Sequence, residues 1–99
     1  MTYYRLYMGR NVPNTPFSVS LDQVRKFLRE FHELRGYTLI PTYGMWLWEE
    51  EESVMLDLLG ADESLAVAIR DRYQSQFHQD SVMLFELDDL VEFTDEEEI

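Results

Sequence analysis

The sequence predicts a ferredoxin-like α+β fold, a split βαββαβ arrangement with a four-stranded antiparallel sheet and two helices on one face. The chain has 99 residues, which suits a single domain. Its patterned segments follow the order strand, helix, strand, strand, helix, strand. A hydrophobic share of 45% is enough for a packed core. We therefore expect one domain over residues 1–93, followed by an acidic tail over 94–99.

The first half of the chain contains a strand, a loop and a helix. Residues 2–8 alternate and are rich in aromatics, which favours a strand, and the Gly, Pro and Asn residues of 9–16 indicate a loop. Ser20 and Gln23 have the spacing of a capping box at a helix start. Gly36 stands where a helix would end. The apolar stripe of this helix is Leu21, Val24, Phe27, Leu28, Phe31 and Leu34.

A hairpin is predicted next. Residues 37–48 are β-branched and aromatic and indicate a long strand, in which Pro41 and Gly44 suggest an edge position or a bulge. The run Glu49–Glu52 is expected to form the solvated tip, and residues 53–59 return as the next strand.

The last part of the chain predicts a helix and a strand. Residues 60–63 open a helix with acidic residues at its N-terminus, which the helix dipole favours. Residues 81–87 form the closing strand, which 90–93 extend or follow. The helix is identified by an i, i+4 stripe of Leu65, Ile69, Tyr73 and Phe77.

The charge is large, negative and uneven. The formal net charge is −12, with six of the eight basic residues among residues 1–48 and seventeen of the twenty acidic residues among 49–99. Such a balance disfavours contact with nucleic-acid phosphates or anionic lipids. Two interpretations remain open: the two halves attract each other within the fold, or an acidic surface faces a basic partner.

The residue types and segments that the sequence lacks argue against several kinds of binding site and cellular location. There is no cysteine, so disulfides and thiolate ligands are excluded. We expect no cofactor and a cytoplasmic protein, since neither a signal peptide nor an 18-residue apolar run is recognisable. The acidic runs lack the spacing of a metal site. His78 stands close to Asp80 and Ser81 in sequence, but residues that are neighbours in the chain do not by that fact converge into a catalytic triad. His32 is expected on the flank of the first helix. No catalytic residues are therefore predicted.

The most suggestive positions combine aromatic rings with guanidinium groups. Arg5 and Tyr7 share a strand face by period two, and Trp46 and Trp48 do the same in the next strand. If they line the uncovered side of the sheet, they form a ligand-binding or partner-binding floor, because Tyr, Trp and Arg dominate binding hot spots. Alternatively these aromatics build the core, or a dimer interface. The candidate set is Arg5, Tyr7, Arg10, Tyr43, Trp46 and Trp48, with Glu49, Glu50, Glu51 and Glu52 as a candidate acidic partner surface.

Several segments taken together resemble a known family of small bacterial proteins described as a domain of unknown function. The resemblance extends over nearly the whole chain and supports the integrity of one domain. It implies no activity, substrate or catalytic residue. The segments that carry it are Tyr4–Arg10 (YRLYMGR), Ser20–Gln23, Phe27–Leu28, Gly36–Leu39, Gly44–Trp46 and Tyr73–Val82 (YQSQFHQDSV).

Two classes of function follow. The first is a non-catalytic interaction domain that forms a homodimer or binds a protein partner. An inhibitor of a basic protein would be one example of this class. The second is a small-molecule-binding or enzymatic dimer with its site on the open face of the sheet. In that case Arg5, Tyr7, Arg10 and Trp46 would position the ligand, and His78 or Tyr73 would carry protons.

Overall fold

The computed structural model describes residues 3–88, so the predicted extension at 90–93 and the acidic tail at 94–99 lie outside the described residues. Six elements follow the predicted order, and the ferredoxin-like α+β fold is confirmed. They are β1 (Tyr3–Gly9), α1 (Leu21–Leu28), β2 (Gly36–Trp46), β3 (Glu49–Leu59), α2 (Glu63–Gln76) and β4 (Met83–Leu87).

The four strands form one sheet in the order β2-β3-β1-β4, with every neighbouring pair antiparallel. Successive side chains of the central strands β1 and β3 point alternately to the two faces of the sheet, which gives one buried row and one outer row. The buried row joins both helices in the core, so the helices cover one side of the sheet. It consists of Tyr4, Leu6 and Met8 of β1 and Val54, Leu56 and Leu58 of β3.

Both helices bury part of the stripe that their spacing predicted, namely Val24, Phe27 and Leu28 of α1 and Ile69 and Tyr73 of α2. The predicted Leu65 and Phe77 are only partly buried, and Ala66, which was not predicted, is buried. The ring of Phe27 lies between the helices. Its centroid is 5.2 Å from that of Phe31, 5.5 Å from Tyr73 and 5.8 Å from Phe77, all in edge-to-face geometry. This aromatic cluster joins α1 to α2.

The helix α1 is shorter than its pattern predicts. The capping box is present, since Gln23 N donates to Ser20 Oγ and Ser20 N donates to Gln23 Oε1. The helix nevertheless ends at Leu28, and the backbone continues in tight turns to Leu34. Phe31 still reaches the core from these turns. Gly36 therefore starts β2 rather than capping α1.

The prediction that Glu49–Glu52 form the hairpin tip is wrong. All four residues lie in β3 and pair with Tyr43–Trp46, and the turn consists of Leu47 and Trp48 alone, with φ of 51° and 66°. Pairing runs without interruption past Pro41 and Gly44, so β2 is an edge strand without a bulge. Because β1 reaches only as far as Glu52, residues 43–52 project as a two-stranded ribbon, here called the arm.

Asp62 caps α2. Its carboxylate accepts hydrogen bonds from Leu65 N at 2.9 Å and from Ser64 Oγ at 3.1 Å. The bond from the Leu65 backbone, followed by that from Ser64, lowers the pKa of Asp62 below its ordinary value of 3.8. An ionised Asp62 thus stabilises the start of α2.

We expect Asp62 to contribute to the pH dependence of stability. Since its pKa is lower in the folded chain than in the unfolded chain, its contribution is complete above pH ~4 and is lost as the pH falls further. Asp62→Asn keeps an acceptor that cannot be protonated, so its free energy of unfolding should fall less steeply with acid than that of the wild type. Urea unfolding from pH ~6 to pH ~2 measures this slope. Asp80→Asn is the control, because the Asp80 side chain makes no hydrogen bond within residues 3–88. Equal slopes for wild type and Asp62→Asn would contradict the expectation.

Candidate functional site

The side of the sheet opposite the helices carries an ion pair at its centre. Arg5 and Asp57 are cross-strand partners on β1 and β3. Arg5 Nε donates to Asp57 Oδ1 at 2.6 Å, and the terminal Nη2 donates to Oδ2 at 3.0 Å, which is a bidentate arrangement. The hydrogen bond to Asp57 raises the pKa of Arg5 above its ordinary value. The two charges offset each other, so this position presents hydrogen-bonding groups without net charge.

Apolar side chains surround this ion pair. Tyr7 and Phe85 contact each other edge to face, with their ring centroids 5.7 Å apart. The register places the following residues on the same side of the sheet, here called the open face: Tyr3, Arg5 and Tyr7 of β1, Thr38 and Ile40 of β2, Met55, Asp57 and Leu59 of β3, and Met83, Phe85 and Leu87 of β4. Ile40, Leu59, Met83 and Phe85 are exposed, although they are large and apolar.

The six predicted binding residues do not form one site. Arg5 and Tyr7 do share the open face. Tyr43 lies on the arm in register with Glu52, on the opposite side of the sheet, and is exposed. Trp48 is in the hairpin turn rather than in a strand and is 90% exposed, so the prediction that it shares a strand face with Trp46 is wrong. Trp46 pairs with Glu49 at the end of β2.

Arg10 supports the loop that follows β1. Its Nε donates to the carbonyl oxygen of Val19 at 2.8 Å, and its Nη2 lies 3.9 Å from Glu52 Oε2. The side chain is only 16% exposed. Its guanidinium is therefore engaged in joining the loop to the arm and lies away from the open face.

The four glutamates of the arm do not share one surface. In a strand, successive side chains point to opposite faces, so Glu49 and Glu51 lie on one side of the arm and Glu50 and Glu52 on the other. Glu52 is also the closest carboxylate to Arg10. A partner approaching one side of the arm would therefore meet two of these charges rather than four.

A polar cluster that the sequence did not predict lies where β1 ends. Tyr73 Oη donates to the carbonyl oxygen of Gly9 at 2.7 Å. Gln79, 8% exposed, donates from Nε2 to the carbonyl oxygens of Asn11 at 3.0 Å and Phe77 at 3.1 Å. The sequence offered one clue to this cluster. Gly9 lies in one of the segments that resemble the known family, and Tyr73 and Gln79 lie in another. The structure brings these two segments into contact.

The groups proposed as proton carriers are poorly placed for that role. Burial raises the pKa of Tyr73 above its ordinary value, and its hydroxyl is held by Gly9. His78 is exposed at the end of α2, with φ of 54°. Within residues 3–88, no three His, Asp or Glu side chains gather in a metal-binding group. No helix of that range is long and apolar enough to span a bilayer.

Comparisons with known proteins identify a family and a fold. The model of the family described as "Protein of unknown function (DUF3574)" matches residues 3–93. No curated protein matches the chain. Among solved structures, a phage SAM lyase in its apo state has 18% identity and a TM-score of 0.72, over 87% of this chain and 78% of that chain. A putative PII-like signalling protein from Thermus thermophilus has 16% identity and a TM-score of 0.47, over 87% and 82%. At this identity the likeness to the lyase shows a shared fold.

Proposed function

The chain belongs to the DUF3574 family of proteins of unknown function, and on that premise we propose that it is a non-catalytic binding domain that pairs with a second copy of itself through the open face. The observation that carries the proposal is an exposed apolar sheet face with a bidentate ion pair at its centre. Exposed apolar patches rimmed by polar groups are typical of protein interaction sites.

The charge of the open face favours a copy of the same chain as the partner. The net charge of the protein is −12, yet the two charged residues on this face, Arg5 and Asp57, offset each other. A basic partner would gain little from such a neutral surface. A second copy brings the same apolar, neutral face, which is the self-complementarity that a two-fold interface requires. About a two-fold axis that lies between the two sheets and runs perpendicular to the line from Arg5 to Asp57, the two ion pairs can meet with opposed dipoles.

A decisive variant introduces a charge in the apolar part of the face. Phe85→Asp places a carboxylate beside Tyr7, where a second copy would have to desolvate it. We expect the dimer dissociation constant to rise at least ~30-fold, which corresponds to the ~2 kcal/mol of an interface hot spot. Sedimentation equilibrium on both proteins measures this change.

The matched control is Phe17→Asp, because Phe17 is 69% exposed in the loop between β1 and α1. It adds the same charge away from the open face and should leave the dimer unchanged. A wild-type chain that stays monomeric, or equal weakening by both substitutions, would refute the proposal. Far-UV circular dichroism verifies that both variants are folded.

Salt separates this proposal from the inhibitor of a basic protein. Two copies of charge −12 repel each other, so raising salt from ~0.05 M to ~0.5 M should leave a face-to-face dimer intact or tighten it. A complex with a basic partner should instead weaken steeply over that range. A monomer that binds basic proteins only at low salt would favour the inhibitor over the dimer.

A further inference from the structure

Two acceptor oxygens converge above Gly9. Glu51 Oε1 and Gln79 Oε1 are the two atoms nearest to the position that a Cβ would occupy at residue 9, and the Gln79 oxygen is 2.7 Å from that position. Because a Cβ at this position would meet both oxygens, glycine is what allows them to pack against the backbone of residue 9. We call the space bounded by Gly9, Glu51 and Gln79 the Gly9 cleft.

The orientation of Gln79 is determined by its surroundings. Its Nε2 donates to two backbone carbonyls, those of Asn11 and Phe77. A flipped amide would direct its oxygen at both carbonyls and lose both hydrogen bonds. The side chain is more than nine-tenths buried, and its Oε1 faces the cleft with no donor from residues 3–88.

Glu51 faces the same point without a cationic partner. Within the described residues, its carboxylate forms no hydrogen bond or ion pair, while the nearby Arg10 lies closest to Glu52. A carboxylate oxygen and an amide oxygen directed at one point repel each other unless a donor lies between them. The Cα hydrogens of Gly9 are only weak donors and do not replace a charged one.

We propose that the Gly9 cleft binds the protonated primary amine of a small ligand. An alkylammonium group has three N–H donors, enough to reach both oxygens, and its positive charge matches Glu51. Tyr7 precedes Gly9 by two residues on the same side of β1, and Met83 pairs with Tyr7. Met83 is exposed, so the alkyl part of the ligand has an apolar surface next to the cleft.

Butylammonium tests the site, with tetramethylammonium as a probe of equal charge that has no N–H donor. We expect a dissociation constant of ~1 mM for butylammonium, a plausible affinity for one charge-assisted contact and a short chain. Two-dimensional ¹H–¹⁵N NMR should show saturable shifts at the Gly9 amide and the Gln79 side-chain amide. Tetramethylammonium should bind at least ~10-fold more weakly.

Glu51→Gln and Glu50→Gln form a matched pair, because each removes one charge from the arm and Glu50 lies on the other side. Glu51→Gln should weaken butylammonium binding at least ~10-fold, whereas Glu50→Gln should change it less than ~2-fold. Equal weakening by both variants would reveal general attraction to an acidic chain and overturn the proposal. So would equal affinity for the two probes, or the absence of shifts at Gly9 and Gln79. The acceptor oxygens lie within one chain, and the titration is made at a protein concentration below the dimer dissociation constant, where Met83 on the open face is not covered by a second copy.

Discussion

Phe27→Ala is expected to lower the free energy of unfolding by about 3–5 kcal/mol. Phe27 is buried and its ring contacts those of Phe31, Tyr73 and Phe77, so truncation leaves a cavity and removes three aromatic contacts. A domain of this size has a total stability of only about 5–15 kcal/mol, so the variant loses a large fraction of it.

Urea unfolding followed by far-UV circular dichroism measures the effect of Phe27→Ala. The control is Phe17→Ala, which removes the same ring from an exposed loop position and should change stability by less than ~0.5 kcal/mol. A loss below ~1 kcal/mol for Phe27→Ala would show that this aromatic cluster does not hold the two helices together.

Replacing Leu47-Trp48 by Asn-Gly is expected to raise the free energy of unfolding by about 2 kcal/mol. Both residues have left-handed φ, which disfavours an L-residue with a large side chain by ~1–2 kcal/mol each. Asn-Gly is the preferred pair for a two-residue hairpin turn of this geometry. Both native side chains are exposed, so little packing is lost.

The measurement is thermal unfolding, accompanied by hydrogen exchange of the arm amides, because the gain arises in the arm. Trp48→Ala is the control: it removes the indole but keeps a β-carbon at φ of 66°. If Trp48→Ala stabilised the chain as much as Asn-Gly, the gain would come from losing an exposed indole rather than from relief of backbone strain.

The turn at Leu47 and Trp48 marks the limit of what local spacing in the sequence can predict. Spacing alone identified the capping box at Ser20 and the buried residues Ile69 and Tyr73 of α2, because these depend on residues three or four positions apart. It placed the hairpin tip in Glu49–Glu52, since four adjacent carboxylates suggest a solvated loop. Leu47 and Trp48 have none of the usual turn chemistry, so no local signal marked the true tip.

The candidate site was predictable only where it depends on one strand. Alternation placed Arg5 and Tyr7 on a common face, but the pairing of Arg5 with Asp57 depends on β1 and β3 meeting in register across 52 residues. The convergence of Glu51 and Gln79 over Gly9 depends on three separate parts of the chain. No periodicity within one element contains that information.

The edge strand β2 also influences how the protein behaves at high concentration. Arg10 N donates to Glu52 O, so the peptide groups of Glu52 face β1, and by alternation those of Ser53 face β2 and those of Val54 face β1. Pro41, opposite Val54, therefore directs its nitrogen to the free edge. Because proline has no N–H, a strand from another molecule would find no donor there. Fibre growth by adding strands along this edge of β2 is thereby disfavoured at Pro41.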